Sequence, residues 1–189
     1  MKKIILLTIV LSSIILLAYT GAENARNALE GEERADFDQH SKSSDFDSPC
    51  ELISLEEVKK RFNLDASIEI SLEDKVYTYP TCAFNWKDGK VTKWMDIGGQ
   101  KMEIELDSKL LIVMVKDANE SKYETSISVY SDGQNEGGIG DKATWSAKRA
   151  QLTFLFNSYL FHVHVRASND DAVNKKDAIE IAGDIIAKL

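Results

Sequence analysis

The stretch QLTFLFNSYLFHVHVR, residues 151–166, decides the fold of this chain. Aromatic and β-branched residues, which favour strands, fill both halves of it. Between the halves lies Asn157-Ser158, a pair of short polar residues that is typical of a tight turn. The stretch therefore predicts a hairpin of two strands, Leu152–Phe156 and Tyr159–Arg166.

The rest of the predicted sheet lies upstream of this hairpin. Apolar and alternating patterns predict strands at Ile68–Ser71, Val76–Trp86, Met102–Leu106, Leu110–Val115 and Lys142–Ser146. Because Leu110–Val115 is apolar throughout, we expect it to lie in the centre of the sheet. Asp88-Gly89, within Lys87–Lys90, favours a tight hairpin turn.

Two helices are predicted at the ends of the domain. Ser54 and Glu57 have the spacing of a capping box, which predicts a helix from Leu55 to Phe62. The chain closes with an amphipathic helix from about Asp170 to Lys188. Gly183 inside that helix predicts close packing against the sheet. The fold class is therefore α+β, an antiparallel sheet packed by a short N-terminal helix and a C-terminal amphipathic helix.

Residues 120–131 fit two patterns. Tyr123, Ile127 and Tyr130 fall on one helical face, whereas the same segment also alternates as a strand does. Ser121 and Glu124 have the spacing of a second capping box. We interpret the segment as a helix.

The N-terminal residues predict export. Lys2 and Lys3 precede the apolar run 4–18, and small residues follow up to Ala22, as in a secretory signal peptide. Residues 1–22 are therefore predicted to be a signal, with no stable membrane span after its cleavage, and the protein is expected in the periplasm or outside the cell. Residues 23–48 are predicted to be an acidic disordered linker, and residues 49–189 a single α+β domain.

The linker admits a second interpretation, as a docking tail. Phe37 and Phe46 each lie between two aspartates, at 36 and 38 and at 45 and 47. Such a tail would bring aromatic rings and carboxylates to a partner together.

The charge excludes two classes of partner. The formal net charge of −8 becomes −10 when Lys2 and Lys3 leave with the signal. Nucleic acids and anionic membrane surfaces are bound through clustered lysine and arginine, and the sequence has no such cluster. We therefore expect neither as a partner.

Cys50 and Cys82 are the two cysteines of the chain. An even count in an oxidising compartment favours a disulfide. A redox pair usually has the spacing Cys-x-x-Cys, and a thiolate metal site needs further ligands at short spacing. A structural disulfide is the favoured interpretation.

His162 and His164 form the candidate recognition surface, together with Arg166 and the loop residue Asp141. Residues two apart on a strand point to the same face, so these histidines share a face with Arg166. The alternatives are a metal site, which lacks further ligands and would have a cation beside it, and an ordinary polar sheet face. Titration of the histidines near pH 6.5 is expected to change partner binding.

The loop Gly137–Asp141 has two interpretations. It resembles an anion-binding nest, but it lacks the lysine of a phosphate loop and leads into a strand. A tight turn in which Asp141 accepts backbone N–H bonds is favoured. Trp86 and Trp145 are predicted to lie in the core, and Trp94 less so.

Several segments together resemble a family of exported domains. The segments are Ser48–Ser54, Thr81–Trp86, Gly138–Trp145 and the C-terminal helix, in that order. They are similar to bacterial cell-envelope domains of unknown function, many of them lipoproteins, with a Pro-Cys-x-Leu start and a Gly-x-Gly-Asp-x-Ala loop. The resemblance implies a small α+β domain with paired cysteines, and it brings no catalytic residues.

The expected function is binding. The sequence has no Gly-x-Ser-x-Gly elbow and no His-Glu-x-x-His helix. We therefore predict no catalytic activity, no cofactor and no bound metal. The leading hypothesis is an exported domain that binds a protein or an envelope component through its sheet face. A small-ligand carrier is the second hypothesis, and an unrecognised hydrolase the third.

Overall fold

Residues 45–189 are described by the computed structural model of the chain. The signal predicted at 1–22 and residues 23–44 of the predicted linker lie outside the described residues. The fold class is α+β, as predicted. The strands are β1 (Ile70–Val76), β2 (Pro80–Trp86), β3 (Thr92–Ile97), β4 (Gln100–Glu105), β5 (Ser108–Val115), β6 (Gln134–Asn135), β7 (Lys142–Ser146), β8 (Gln151–Phe156) and β9 (Tyr159–Arg166). The helices are α1 (Leu55–Arg61), α2 (Glu120–Ile127) and α3 (Asp171–Ile186).

Seven of the strands form one antiparallel sheet in the order β1-β2-β5-β9-β8-β7-β6. The predicted hairpin is confirmed as β8 and β9. Its turn residues Asn157 and Ser158 have φ values of 47° and 65°, as a two-residue turn that matches the strand twist requires. The predicted central strand is confirmed as β5, which lies between β2 and β9.

The first face of the sheet carries the main core. Leu110, Ile112 and Met114 of β5 are fully buried on it, beside Val163 of β9. The helix α3 packs here through a buried stripe, namely Ala178, Ile181, Ala182 and Ile185. Arg61 of α1 forms ion pairs with Glu180 and Asp184 of α3. Both predicted terminal helices therefore pack on this face and against each other.

The second face of the sheet is covered in part by α2, which confirms the helical interpretation of this segment. Tyr123 of α2 is buried in a smaller cluster with Leu155 and Leu160. The predicted cap is wrong. Asn119, and not Ser121, begins the helix, and its side chain accepts a hydrogen bond from the Lys122 amide at 3.0 Å.

The hairpin predicted at Lys87–Lys90 is also wrong. The strand β3 pairs with β4 across Gly98 and Gly99, in a separate two-stranded ribbon, because both edges of β2 are already occupied by β1 and β5. Asp88 instead accepts hydrogen bonds from Trp86 Nε1 at 3.0 Å and Ser108 Oγ at 2.7 Å. It therefore anchors the chain as it leaves the sheet.

The segment 45–48, which is part of the predicted linker, contacts the domain. Lys116 Nζ lies 2.8 Å from Asp45 Oδ1 and 3.1 Å from Asp47 Oδ1. Phe46 packs against the main core, and Ser48 caps the short 3-10 helix that contains Cys50. One of the two Asp-Phe-Asp triplets is thus bound to the domain.

Gly183 does not pack closely, contrary to expectation. It is exposed on α3, and a Cβ built on it meets nothing within 4 Å. Alanine loses less backbone entropy than glycine in a helix. We therefore expect Gly183→Ala to raise the free energy of unfolding by about 1 kcal/mol, measured by urea unfolding.

Gly89→Ala is the matched control for this substitution. Its site is equally open, but Gly89 has a φ of +70°, which alanine adopts only at a cost. The control is expected to lose stability, and a loss in Gly183→Ala as well would contradict the prediction.

Candidate binding groove

A groove of about 380 Å³ lies on the second face of the sheet, over β1, β2 and β5. Its floor consists of side chains from β2 and β5, namely Thr81, Ala83, Leu111 and Val113. Tyr77 and Tyr79, in the turn between β1 and β2, form one end of the groove and are 69% and 45% exposed. We call this feature the groove.

Charged side chains line the same groove. Glu73 and Lys75 of β1 form an ion pair, with Lys75 Nζ 2.7 Å from Glu73 Oε2. Lys109 of β5 also lines it. The groove therefore joins an apolar floor to polar walls, an arrangement common in binding sites.

The predicted recognition surface lies directly beside the groove. Val113 and Leu111 on its floor are the cross-strand partners of His162 and His164. Lys109 is the partner of Arg166. Because antiparallel partners point to the same face, the three predicted side chains of β9 continue the groove across the sheet.

Asp141 is not part of this surface. It precedes Lys142, whose cross-strand partner is Leu155, which in turn is paired with Leu160. Asp141 thus lies beyond the opposite end of β9 from Arg166. Its backbone N–H donates to the Leu155 carbonyl oxygen at 2.8 Å, so the loop is held by its backbone and not by the aspartate side chain that we expected to accept.

His162 belongs to a polar network between β8 and β9. Its Nδ1 lies 2.8 Å from Thr153 Oγ1 and 3.1 Å from Gln151 Nε2. Tyr130 OH lies 2.5 Å from Thr153 Oγ1. The network holds the imidazole in one orientation and ties the turn after α2 to the sheet.

Both histidines resist protonation in the folded protein. Burial lowers the pKa of His162 to about 4. Burial is also the main cause that lowers the pKa of His164, and the charges of Arg166 and Lys109 lower it further. The expected change of partner binding near pH 6.5 is therefore wrong for His162, which stays neutral there.

The lowered pKa of His162 predicts acid sensitivity. Between pH 6.5 and pH 4 the unfolded chain binds the proton more strongly than the folded one, so stability is complete above pH 6.5 and is lost as the pH falls towards 4. We expect His162 to cost about 2 kcal/mol of unfolding free energy between pH 7 and pH 5. Urea unfolding of the wild type and His162→Gln across this range measures it. The variant should show the flatter profile, and parallel profiles would contradict the prediction.

The tryptophans stay outside the groove. Trp86 and Trp145 are each 2% exposed in the core, as predicted. Trp94 on β3 is 64% exposed. None of the three lines the groove.

Neither a metal cluster nor a membrane-spanning helix is found in residues 45–189. No three histidine, cysteine or carboxylate side chains of that range are grouped as metal ligands, and His40 lies outside it. No helix of the same range is long and apolar enough to cross a membrane.

The groove itself was missed from the sequence. The run from Leu110 to Val115 is apolar on both faces, which hides the fact that Leu111 and Val113 face a different layer from their neighbours. Tyr77 and Tyr79 lie inside the strand that the sequence predicts from Val76 to Trp86. The Tyr-Pro pair at 79–80 was the available signal for a break, since a residue before proline favours extended or turn geometry.

Comparisons with known proteins add no relative. No family model matches the chain, and neither a curated protein nor a solved structure matches it. The resemblance to exported envelope domains therefore stays a prediction.

Proposed function

We propose that this protein is an exported, non-catalytic domain that binds a partner protein or an envelope component in the groove. The groove with its exposed tyrosine rim carries the proposal. Tyrosine is enriched in protein interfaces, because it offers a large apolar ring with a polar tip. Tyr77 and Tyr79 are 69% and 45% exposed, so their rings are available to a partner.

The edge of the sheet beside the groove supports the same function. The strand β1 pairs only with β2, so its other edge is open to hydrogen bonding among the described residues. Leu72 and Val76 on this strand are 49% and 73% exposed, on the first face of the sheet and not on the face of the groove. A protein segment that adds to this edge would meet apolar side chains and free backbone groups together.

A non-catalytic role agrees with the state of the polar groups beside the groove. Thr153, the hydroxyl nearest to His162, is fully buried and out of reach of a substrate. His164 Nδ1 is held by the Arg149 carbonyl oxygen at 2.7 Å. These contacts support a structural role for both rings.

Export is proposed from the sequence. The signal-like residues 1–22 direct the chain out of the cytoplasm, and the periplasm or the extracellular space is the proposed location. The structure contains a disulfide between Cys50 and Cys82, which agrees with an oxidising compartment.

A photo-crosslinking amino acid at position 79 tests the function. We expect one defined adduct when this protein is exposed to an extract of the envelope from its own source. The same amino acid at Val173, which is 43% exposed on α3 and away from the groove, is the control. Equal adducts from both positions, or none from position 79, would reject the groove as a binding site.

A small-ligand carrier is the second candidate, since about 380 Å³ is within the range of small-molecule sites. Native mass spectrometry of the purified protein distinguishes the two. A stoichiometric small ligand that Tyr79→Ala releases would favour the carrier.

A further inference from the structure

Lys109 lines one end of the groove and forms a pair of like charges with Arg166, which lies beside the groove on β9. They are direct cross-strand partners on the second face, which places their Cβ atoms about 5 Å apart. Like charges in this position destabilise a sheet unless something compensates them. Their juxtaposition therefore calls for a partner of opposite charge.

Within the described part of the chain such compensation acts only at a distance, since the charge of Lys109 contributes to the lowered pKa of Glu73. No carboxylate among residues 45–189 lies within 4.0 Å of either cation. Glu73 is occupied by Lys75, and the Asp107 carboxylate lies 3.8 Å from Lys87 Nζ. The pair is thus left with two positive charges beside a groove in a protein of net charge −8.

Arg166 also carries an orphaned polar atom. Its Nε is buried and has no hydrogen-bond partner in the described structure, and its Nη2 reaches the Asp107 carbonyl oxygen only at 3.5 Å. A buried donor without a partner costs stability, and such atoms are rare in native proteins. Because this Nε has no accessible surface, a ligand can reach only the two Nη groups, whose planar fork also fits the two oxygens of a carboxylate.

We propose that Lys109 and Arg166 bind a carboxylate of an extended peptide that lies in the groove. The inference rests on the proposed function and names the chemistry of the partner. The carboxylate lies between the two cations, where it compensates their repulsion and accepts from the arginine fork.

The spacing of the groove defines the peptide. Lys109, Leu111 and Val113 are two residues apart on β5 and point into the same groove. Side chains of an extended peptide that point to one side have the same spacing, about 6.6 Å. An acidic residue over Lys109 therefore places apolar residues two and four positions away over Leu111 and Val113, towards the tyrosine rim.

The test uses a peptide of that pattern, acetyl-Asp-Ser-Phe-Ser-Val-amide, titrated into the intact mature protein and followed by NMR. We expect saturable shifts at Lys109, Leu111 and Arg166. Replacing the aspartate with asparagine is expected to weaken binding about tenfold, since a hydrogen bond to a charged group is stronger than a neutral one. A peptide with aspartate and phenylalanine adjacent should bind as weakly as the asparagine peptide. Equal affinities for the three peptides would overturn the proposal.

Three variants locate the site. Lys109→Gln and Arg166→Gln are each expected to weaken the aspartate peptide about tenfold and to leave the asparagine peptide unchanged. Lys93→Gln, an exposed lysine on β3, is the control and should change neither affinity. If Arg166→Gln fails to fold, Lys109→Gln alone decides. An unchanged affinity in Lys109→Gln overturns the proposal.

Three further outcomes distinguish a failure of the carboxylate site from a failure of the proposed function. Inorganic phosphate that binds the wild type while the aspartate peptide does not would reject a peptide carboxylate as the ligand. A crosslink from position 79 that persists unchanged in Lys109→Gln would reject the carboxylate site and leave the groove as a binding site. Absence of any crosslink from position 79 in the wild type would reject the proposed function, whatever the peptide titration shows.

Discussion

Gly140→Ala is expected to lower the free energy of unfolding by about 4 kcal/mol. Gly140 has a φ of +55°, which costs an alanine about 1–2 kcal/mol. A Cβ at this position would lie 2.4 Å from the Leu155 carbonyl oxygen, and overpacking of this kind costs about 1–3 kcal/mol more. Because that oxygen is backbone of β8, relief would require the loop or the strand to move. Urea unfolding followed by circular dichroism measures the loss.

Gly138→Ala separates the two causes. Gly138 lies in the same loop with a φ of +78°, but a Cβ there meets nothing within 4 Å. For this control the free energy of unfolding should fall only by the cost of the positive φ, about 1–2 kcal/mol. Equal losses in the two variants would show that the close approach to Leu155 contributes nothing.

Loss of the Cys50–Cys82 disulfide is expected to cost about 3.5 kcal/mol of unfolding free energy. The structure confirms the bond, with the two Cα atoms 5.1 Å apart across a sequence separation of 32. It joins the short 3-10 helix Pro49–Glu51, just before α1, to the buried strand β2. Without it the unfolded chain gains the freedom of a long loop.

Two preparations test this expectation, namely the double variant with alanine at 50 and 82 and the reduced wild-type protein. Cys82 is fully buried, so alanine also removes packing, whereas reduction keeps both sulfurs in place. Similar losses in both would assign the effect to the cross-link. A reduced protein that unfolds at the same urea concentration as the oxidised one would contradict the prediction.

The elements predicted well are those with strong local patterns. The hairpin of β8 and β9 has strand-forming residues on both sides of a short polar turn, and α3 repeats its apolar residues with the helical period. Such patterns depend on neighbours along the chain, so they survive in the folded protein. The disulfide followed from the cysteine count and the expected compartment.

The predictions were wrong where the structure depends on segments that are distant in sequence. Asp88-Gly89 has the composition of a hairpin turn, but β5 occupies the edge of β2 that the hairpin would need. Gly183 suggested tight packing, yet exposure of a helical residue depends on which face meets the sheet. Neither fact can be deduced from the local sequence.

For the candidate site, too, the residues placed by a local pattern were predicted correctly and those placed by strand pairing were not. Alternation along β9 placed His162, His164 and Arg166 on one face correctly, because the period of a strand is two. The prediction that Asp141 joins them rested only on the short distance in sequence between its loop and β9. The strand register places Asp141 beyond the end of β9 that is opposite to Arg166. The groove could not be predicted because it forms only when β2 pairs with β5, and no single segment of the sequence indicates that pairing.

The position of β5 has a consequence for the order in which the protein can be made. Its neighbour β2 precedes it in the chain, but its other neighbour β9 follows only after α2, β6, β7 and β8. The ribosome makes the N-terminus first. Leu110, Ile112 and Met114 therefore lack the neighbouring strand β9 until Arg166 has been added. Completion of the sheet is therefore a late step of biosynthesis, and a polypeptide shortened before β9 lacks the contacts that close its core.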